Sequence, residues 1–237
     1  MSVADLSSPS ILTNVIAAPA RAFAAINERP TAWLPLTILI LAYTAVSVAY
    51  TSSVDLPWLI DQQLQQAQNL TDAQRQVAVE NGSRMPVPVF AAIGAAGACI
   101  GIPLVFAVVA LYYFAVAYAA GGGVRYRQWF ALVAWCGLPM VFGRLAALVH
   151  VLSGDARFMR PEELSPFAFG VLLGADPATM TRVQGFLLGL DVTVVWSLVL
   201  SILGYQSFTK RSLAWSAAVV LAPTVLVFGV GALLALR

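Results

Sequence analysis

Five apolar stretches, each about twenty residues or longer, constrain this chain more than any other feature: Trp33–Thr51, Pro88–Ala120, Trp129–Leu152, Val183–Ser207 and Leu213–Leu236. A bilayer core about 30 Å thick is crossed by roughly 20 residues of helix, and only a helix or a closed barrel leaves no backbone group there without its hydrogen bond. Composition agrees: 60% of the 237 residues are hydrophobic and 10% charged, against about 25% charged in a typical soluble domain. The expected fold is therefore all-α, a polytopic bundle of five transmembrane helices covering residues 33–237, with residues 1–32 as a separate N-terminal segment. Span two is overlong, so it is expected to tilt, protrude or bend near Gly101 and Pro103.

Other classes drop out. Thirteen basic residues against eleven acidic give a charge of +2, too small an excess to track a phosphate backbone, so no nucleic acid is expected. The single His and two Cys, Cys99 and Cys136, lack metal-site spacing, and both thiols lie inside apolar runs; neither a metal, a disulfide framework nor a cofactor is expected. No HExxH, GxSxG, CxxC or dinucleotide glycine pattern occurs, and Asp191, the lone acid of the proposed spans, has no second acid with which to share a proton. Catalysis is not expected.

The segment Met1–Thr31 has Asp5, Arg21 and Glu28 and no signal-peptide pattern, so it is expected to stay attached. Its Leu12, Val15, Ile16, Pro19, Phe23 and Ile26 recur at helical spacing, as an amphipathic surface helix or an ordinary packed helix would have them. Orientation follows from basic residues in short connections. Arg125 and Arg127 lie in 121–128, and Lys210 and Arg211 in 208–212. Placing these in the cytoplasm puts the N-terminus inside, the C-terminus outside, and the longer loops 52–87 and 153–182 outside. With Arg21 and Arg29 they form a basic surface facing the anionic leaflet. Trp33, Tyr50, Tyr118, Trp129, Tyr205 and Trp215 near span ends suit an interfacial belt or aromatic packing.

Inside the spans, Arg144 and Asp191 stand about 8 residues, or roughly 12 Å, from the outer ends of spans three and four. Equal depth predicts a buried ion pair, either a static clamp or part of a polar path. Thr193, Ser197 and Ser201 add a polar stripe on span four. His150, near the outer end of span three, reads as a hydrogen-bonded interfacial residue. Gly97 with Gly101, and Gly185 with Gly189, place two glycines four apart on one helix face, a pattern for close helix packing within the chain or between copies.

The order of several short patterns resembles the Yip (Ypt-interacting protein) membrane family, in its bacterial branch. These are Pro19-x-x-x-Phe23, Pro30-x-x-Trp33-x-Pro35, Gly122-Gly123, the run Trp129–Trp135 with Pro139, and Asp191 followed by Trp196 and Gly204. The resemblance implies a cytoplasmic N-terminus and five membrane helices. Eukaryotic members are associated with vesicle traffic and Rab-type GTPases, but their Asp-Leu-Tyr-Gly-Pro signature is absent here, so a Rab partner does not carry over. Twelve of the thirteen basic residues are Arg, which points to a GC-rich bacterial genome and its inner (plasma) membrane. The expectation is a non-enzymatic scaffold or adaptor with membrane lipids and a membrane-protein partner, and with self-association open. The alternative is a small transporter or channel, or a subunit of one, with Arg144 and Asp191 in its passage.

Overall fold

The computed structural model describes residues 8–65, 71–174 and 190–235, and these are helical apart from turns and one isolated bridge. In chain order the helices are α1 (Ser8–Ala17), α2 (Pro19–Glu28), α3 (Trp33–Ser53), α4 (Leu56–Gln65), α5 (Asp72–Ser83), α6 (Val87–Ala119), α7 (Tyr126–Cys136), α8 (Met140–Ser153), the single turn α9 (Phe169–Leu172), α10 (Val192–Thr209) and α11 (Leu213–Ala235). Four units are long and apolar enough to cross a membrane: α3, α6, the α7–α8 stretch Tyr126–Ser153, and α10. The chain is an all-α polytopic membrane protein. The 23-residue α11 carries no charged residue.

The overlong span is one helix. α6 runs 33 residues through Pro103, about 50 Å at 1.5 Å per residue, so it extends past a typical hydrocarbon core. Span three, expected as one helix over 129–152, is instead broken between α7 and α8 by Gly137, Leu138 and Pro139. Pro139 has no amide to donate, and the turn is held by short bonds such as Met140 N to Gly137 O at 3.0 Å. A Cβ on Gly137 would meet the Phe106 ring at 2.7 Å, so only glycine lets α6 come this close.

The N-terminal segment is also revised. Its apolar spacing forms two helices, with Pro19 beginning the second, where its fixed φ suits a first turn. Ile11, Val15, Phe23 and Ile26 join the same core as Leu39, Phe106, Trp129, Trp135 and Tyr205. Residues from Ser8 onward are thus part of the bundle and not a separate unit: α2 packs on α10 and α7. Burying such side chains contributes about 1.5–3 kcal/mol each.

At the opposite end α4 and α5 form a helical hairpin. Leu59 of α4 joins a second, smaller core with Tyr50, Val54, Val151 and Met159. Thr71 and Gln74 cap α5 reciprocally, satisfying amide donors at its start. The Tyr50 hydroxyl donates to Met159 O at 2.8 Å, tying the loop after α8 to the end of α3.

Candidate functional site

The two ends of the bundle differ in how their charges are used. At the end bearing α4 and α5, acids and bases pair: Arg84 with Glu80 at 2.7 Å, Arg157 with Asp55 at 3.5 Å, and Arg75 with Asp72 at 3.6 Å. At the other end lie α1, α2, the α6–α7 turn and the α10–α11 turn. Here Arg21, Arg29, Arg125, Arg127, Lys210 and Arg211 are all exposed, and among the described residues none forms an ion pair within 4 Å. The structure thus gathers the six basic residues singled out from sequence onto one face.

That face is held rigid by hydrogen bonds to backbone carbonyls. The elbow between α2 and α3 offers three carbonyl oxygens, and α7 supplies the donors. Gln128 Nε2 donates to Asn27 O and Oδ1, each at 2.8 Å, Arg127 Nε to Pro30 O at 3.1 Å, and Trp135 Nε1 to Thr31 O at 2.7 Å. Arg211 Nη2 reaches across to Ala120 O at 2.7 Å, clamping the two interhelical turns together. An open pocket of about 350 Å³ lies over the elbow, with Arg29, Arg125 and Arg127 set against Glu28. A second, of about 500 Å³, lies between α2 and α10 with Lys210 and Arg211 at its mouth.

The expected Arg144–Asp191 pair is not formed. Asp191 is the N-cap of α10 and not a mid-span residue, because the helix starts at Val192; the first part of the expected span, 183–189, lies outside the described residues. Asp191 Oδ1 accepts from Thr193 N at 2.7 Å and Thr193 Oγ1 at 2.6 Å, as a capping carboxylate does. Its Oδ2 is buried without a partner among the described residues. Arg144 turns towards α3 instead, with its guanidinium carbon 4.9 Å from the Tyr43 ring centroid and Nη2 donating to Ser165 Oγ at 3.3 Å. The segment before α10 is fastened to the preceding loop by Val192 N to Phe167 O at 3.1 Å and Phe169 N to Leu190 O at 2.8 Å.

Thr193, Ser197 and Ser201 do share a buried face of α10. Ser197 and Ser201 each donate to the carbonyl four residues earlier, at 2.9 and 2.8 Å, and Thr193 donates to Asp191, so the stripe is satisfied within its own helix. His150 is exposed in the last turn of α8. A Cβ added to Gly97 or Gly101 would meet nothing within 4 Å, so these two pack closely against no other described helix, and Gly185 and Gly189 lie outside the described residues. Close packing falls to glycines that sequence spacing did not single out: Gly137 against Phe106, Gly204 against Leu132, Gly94 against Ser47, and Gly143 against Thr193. Of the aromatics placed near span ends, Trp33, Tyr118 and Trp215 are exposed, while Tyr50, Trp129 and Tyr205 are core. Trp129 and Tyr205 pack with ring centroids 5.0 Å apart.

These features define a helical polytopic membrane protein whose N-terminal helices are built into the bundle beneath an unneutralised basic face. The family model for the Yip1 domain matches residues 13–236, and the chain belongs to that family. No curated protein and no solved structure matches it.

Proposed function

We propose that this Yip-family protein is a non-enzymatic membrane scaffold that recruits a membrane-protein partner through its basic face. The supporting observation is that, among the described residues, the six cations on one face form no ion pair within 4 Å, with Glu28 lining the same pocket as three of them, while acids and bases pair at the opposite end. In this reading α11 is a fifth crossing, the basic face is cytoplasmic by the positive-inside tendency, and the C-terminus is extracytoplasmic. The membrane is a bacterial inner membrane. The rigid elbow under Arg29, Arg125 and Arg127 offers carboxylates of a partner a preorganised surface, which reduces the ordering cost of binding.

The transport reading has less support, because the hydroxyl stripe of α10 is satisfied internally and Arg144 bonds Ser165 and not Asp191; Asp191 Oδ2, without a partner among the described residues, is what remains in its favour. Crosslinking and affinity capture from native membranes, with the native chain beside an Arg29→Gln/Arg125→Gln/Arg127→Gln variant, test the proposal. A stoichiometric partner retained by the native chain and lost from an equally abundant, folded variant is expected. Recovery of the chain alone, folded and monodisperse, overturns the scaffold reading and makes solute flux the next measurement.

A further inference from the structure

The last helical turn of α10 ends on Lys210, whose φ of 57° and ψ of 20° are left-handed. Among the described residues it is the one non-glycine residue with positive φ. Helices that stop this way usually carry glycine at that position, because a Cβ is disfavoured there. The backbone alone therefore favours glycine, and a lysine needs its side chain to explain it. That side chain stands at the mouth of the open pocket of about 500 Å³ between α2 and α10, beside Arg211. The pocket's apolar lining is Pro19, Ala20 and the half-buried Leu203, with Phe23 itself buried; Gln206 and Ser207 add polar groups, and among the described residues no carboxylate lines it.

We propose that this pocket binds a phosphate group, presented by an anionic phospholipid whose glycerol and first methylenes rest on Pro19, Ala20 and Leu203. Two adjacent cations without an acid recognise the phosphate charge. The apolar lining favours a lipid over a water-soluble phosphate compound, and the position at the end of a spanning helix is the depth at which headgroups lie. The pocket deepens the basic-face reading by naming a ligand for one part of it. Its test uses purified protein, so its failure leaves partner recruitment standing, and a failed capture experiment leaves the lipid site standing.

The full chain in a neutral detergent is titrated with short-chain phosphatidylglycerol, phosphatidylcholine of the same chain length, glycerol 3-phosphate and inorganic phosphate, with bound lipid counted by native mass spectrometry. Phosphatidylglycerol is expected to bind at least about tenfold more tightly than phosphatidylcholine, and the two soluble phosphates are expected not to displace it. Lys210→Gly is the decisive variant. Relief of the left-handed strain keeps its unliganded melting temperature at or above that of the native chain, while its lipid affinity falls about fivefold, as does that of Arg211→Gln. Equal binding of the two lipids, or unchanged affinity in Lys210→Gly, overturns the site. Displacement by inorganic phosphate or glycerol 3-phosphate at comparable concentration overturns the lipid as its source.

Discussion

The bond from Trp135 to Thr31 makes a quantitative prediction about what holds the N-terminal helices down. Trp135 is 0% exposed, and its indole N–H donates to Thr31 O at 2.7 Å. In Trp135→Phe the ring remains apolar, but the Thr31 carbonyl loses this donor at a part-buried position beside the open pocket over the elbow. Losing such a bond where water can partly replace it costs about 0.5–1.5 kcal/mol, and the smaller ring leaves a void worth about 1 kcal/mol more. The total, about 1.5–2.5 kcal/mol, corresponds to a fall in melting temperature of roughly 3–10 °C for a chain of this size. If the loss is local to the elbow, opening of α2 rises about thirtyfold for 2 kcal/mol. Two measurements on purified protein in detergent check this: the thermal melt, and the rate of tryptic cleavage after Arg21. Arg21 lies inside α2 and becomes a good substrate when that helix undocks, whereas the Arg29–Pro30 bond resists trypsin in any state. Trp196→Phe is the control, since Trp196 is partly exposed and stacks on Phe142 at 5.8 Å. Wild-type melting and wild-type cleavage in Trp135→Phe would refute the tether.

Two further substitution sets separate packing from pattern. Gly137→Ala places a methyl against the Phe106 ring and is expected to cost about 1–3 kcal/mol, whereas Gly97→Ala, with open space around it, is expected to be neutral or stabilising by up to about 1 kcal/mol; melting temperatures in one detergent decide it. Asp191→Ala is expected to lose about 0.5–2 kcal/mol as a lost cap, with Asp191→Asn much milder. The exchange Arg144→Asp/Asp191→Arg is expected to give a folded yield no better than either single change, and recovery of yield would show that the two residues pair after all.

The fold was legible in the sequence because its strongest signal, apolar length, is set by the bilayer and not by tertiary detail. The gathering of Arg125, Arg127, Lys210 and Arg211 was legible for a related reason, since short connections between antiparallel spans must alternate between two faces. What escaped was everything decided by contact. Trp129 at a span end reads as an interfacial anchor, yet the packing of α1 and α2 over that end buries it. Equal depth along two helices placed Arg144 opposite Asp191, but depth says nothing of azimuth, and the start of α10 at Val192 turned the Asp into a cap. Gly97 and Gly101 carry the spacing of a packing motif while Gly137 and Gly204 carry the contacts, because a single glycine beneath a neighbouring ring leaves no periodic trace. The patterns that mark the family fall largely on such contact residues: Phe23, Trp129, Trp135, Pro139 and Gly204 are buried.

The two ends of α10 show where that architecture leaves room for function. At its start the Asp191 cap is enclosed by α8, by the Phe167–Phe169 strip and by its own Thr193, so the polar atoms there are largely committed to holding the fold together. At its finish the chain takes a conformation that glycine would adopt at less cost, and Lys210 and Arg211 stand over an open pocket with no acid among its lining residues to neutralise them. A charge that stabilises the fold is usually found beside its counter-charge, as at Arg84 and Glu80. The six on the basic face form no ion pair within 4 Å among the described residues, and two of them, Arg127 and Arg211, also brace that face through carbonyl bonds; recruitment of an anionic partner is the use proposed for them. For the proposed recruitment the bracing counts beside the charge: a backbone already ordered by these bonds would lose less entropy on docking than a mobile basic tail.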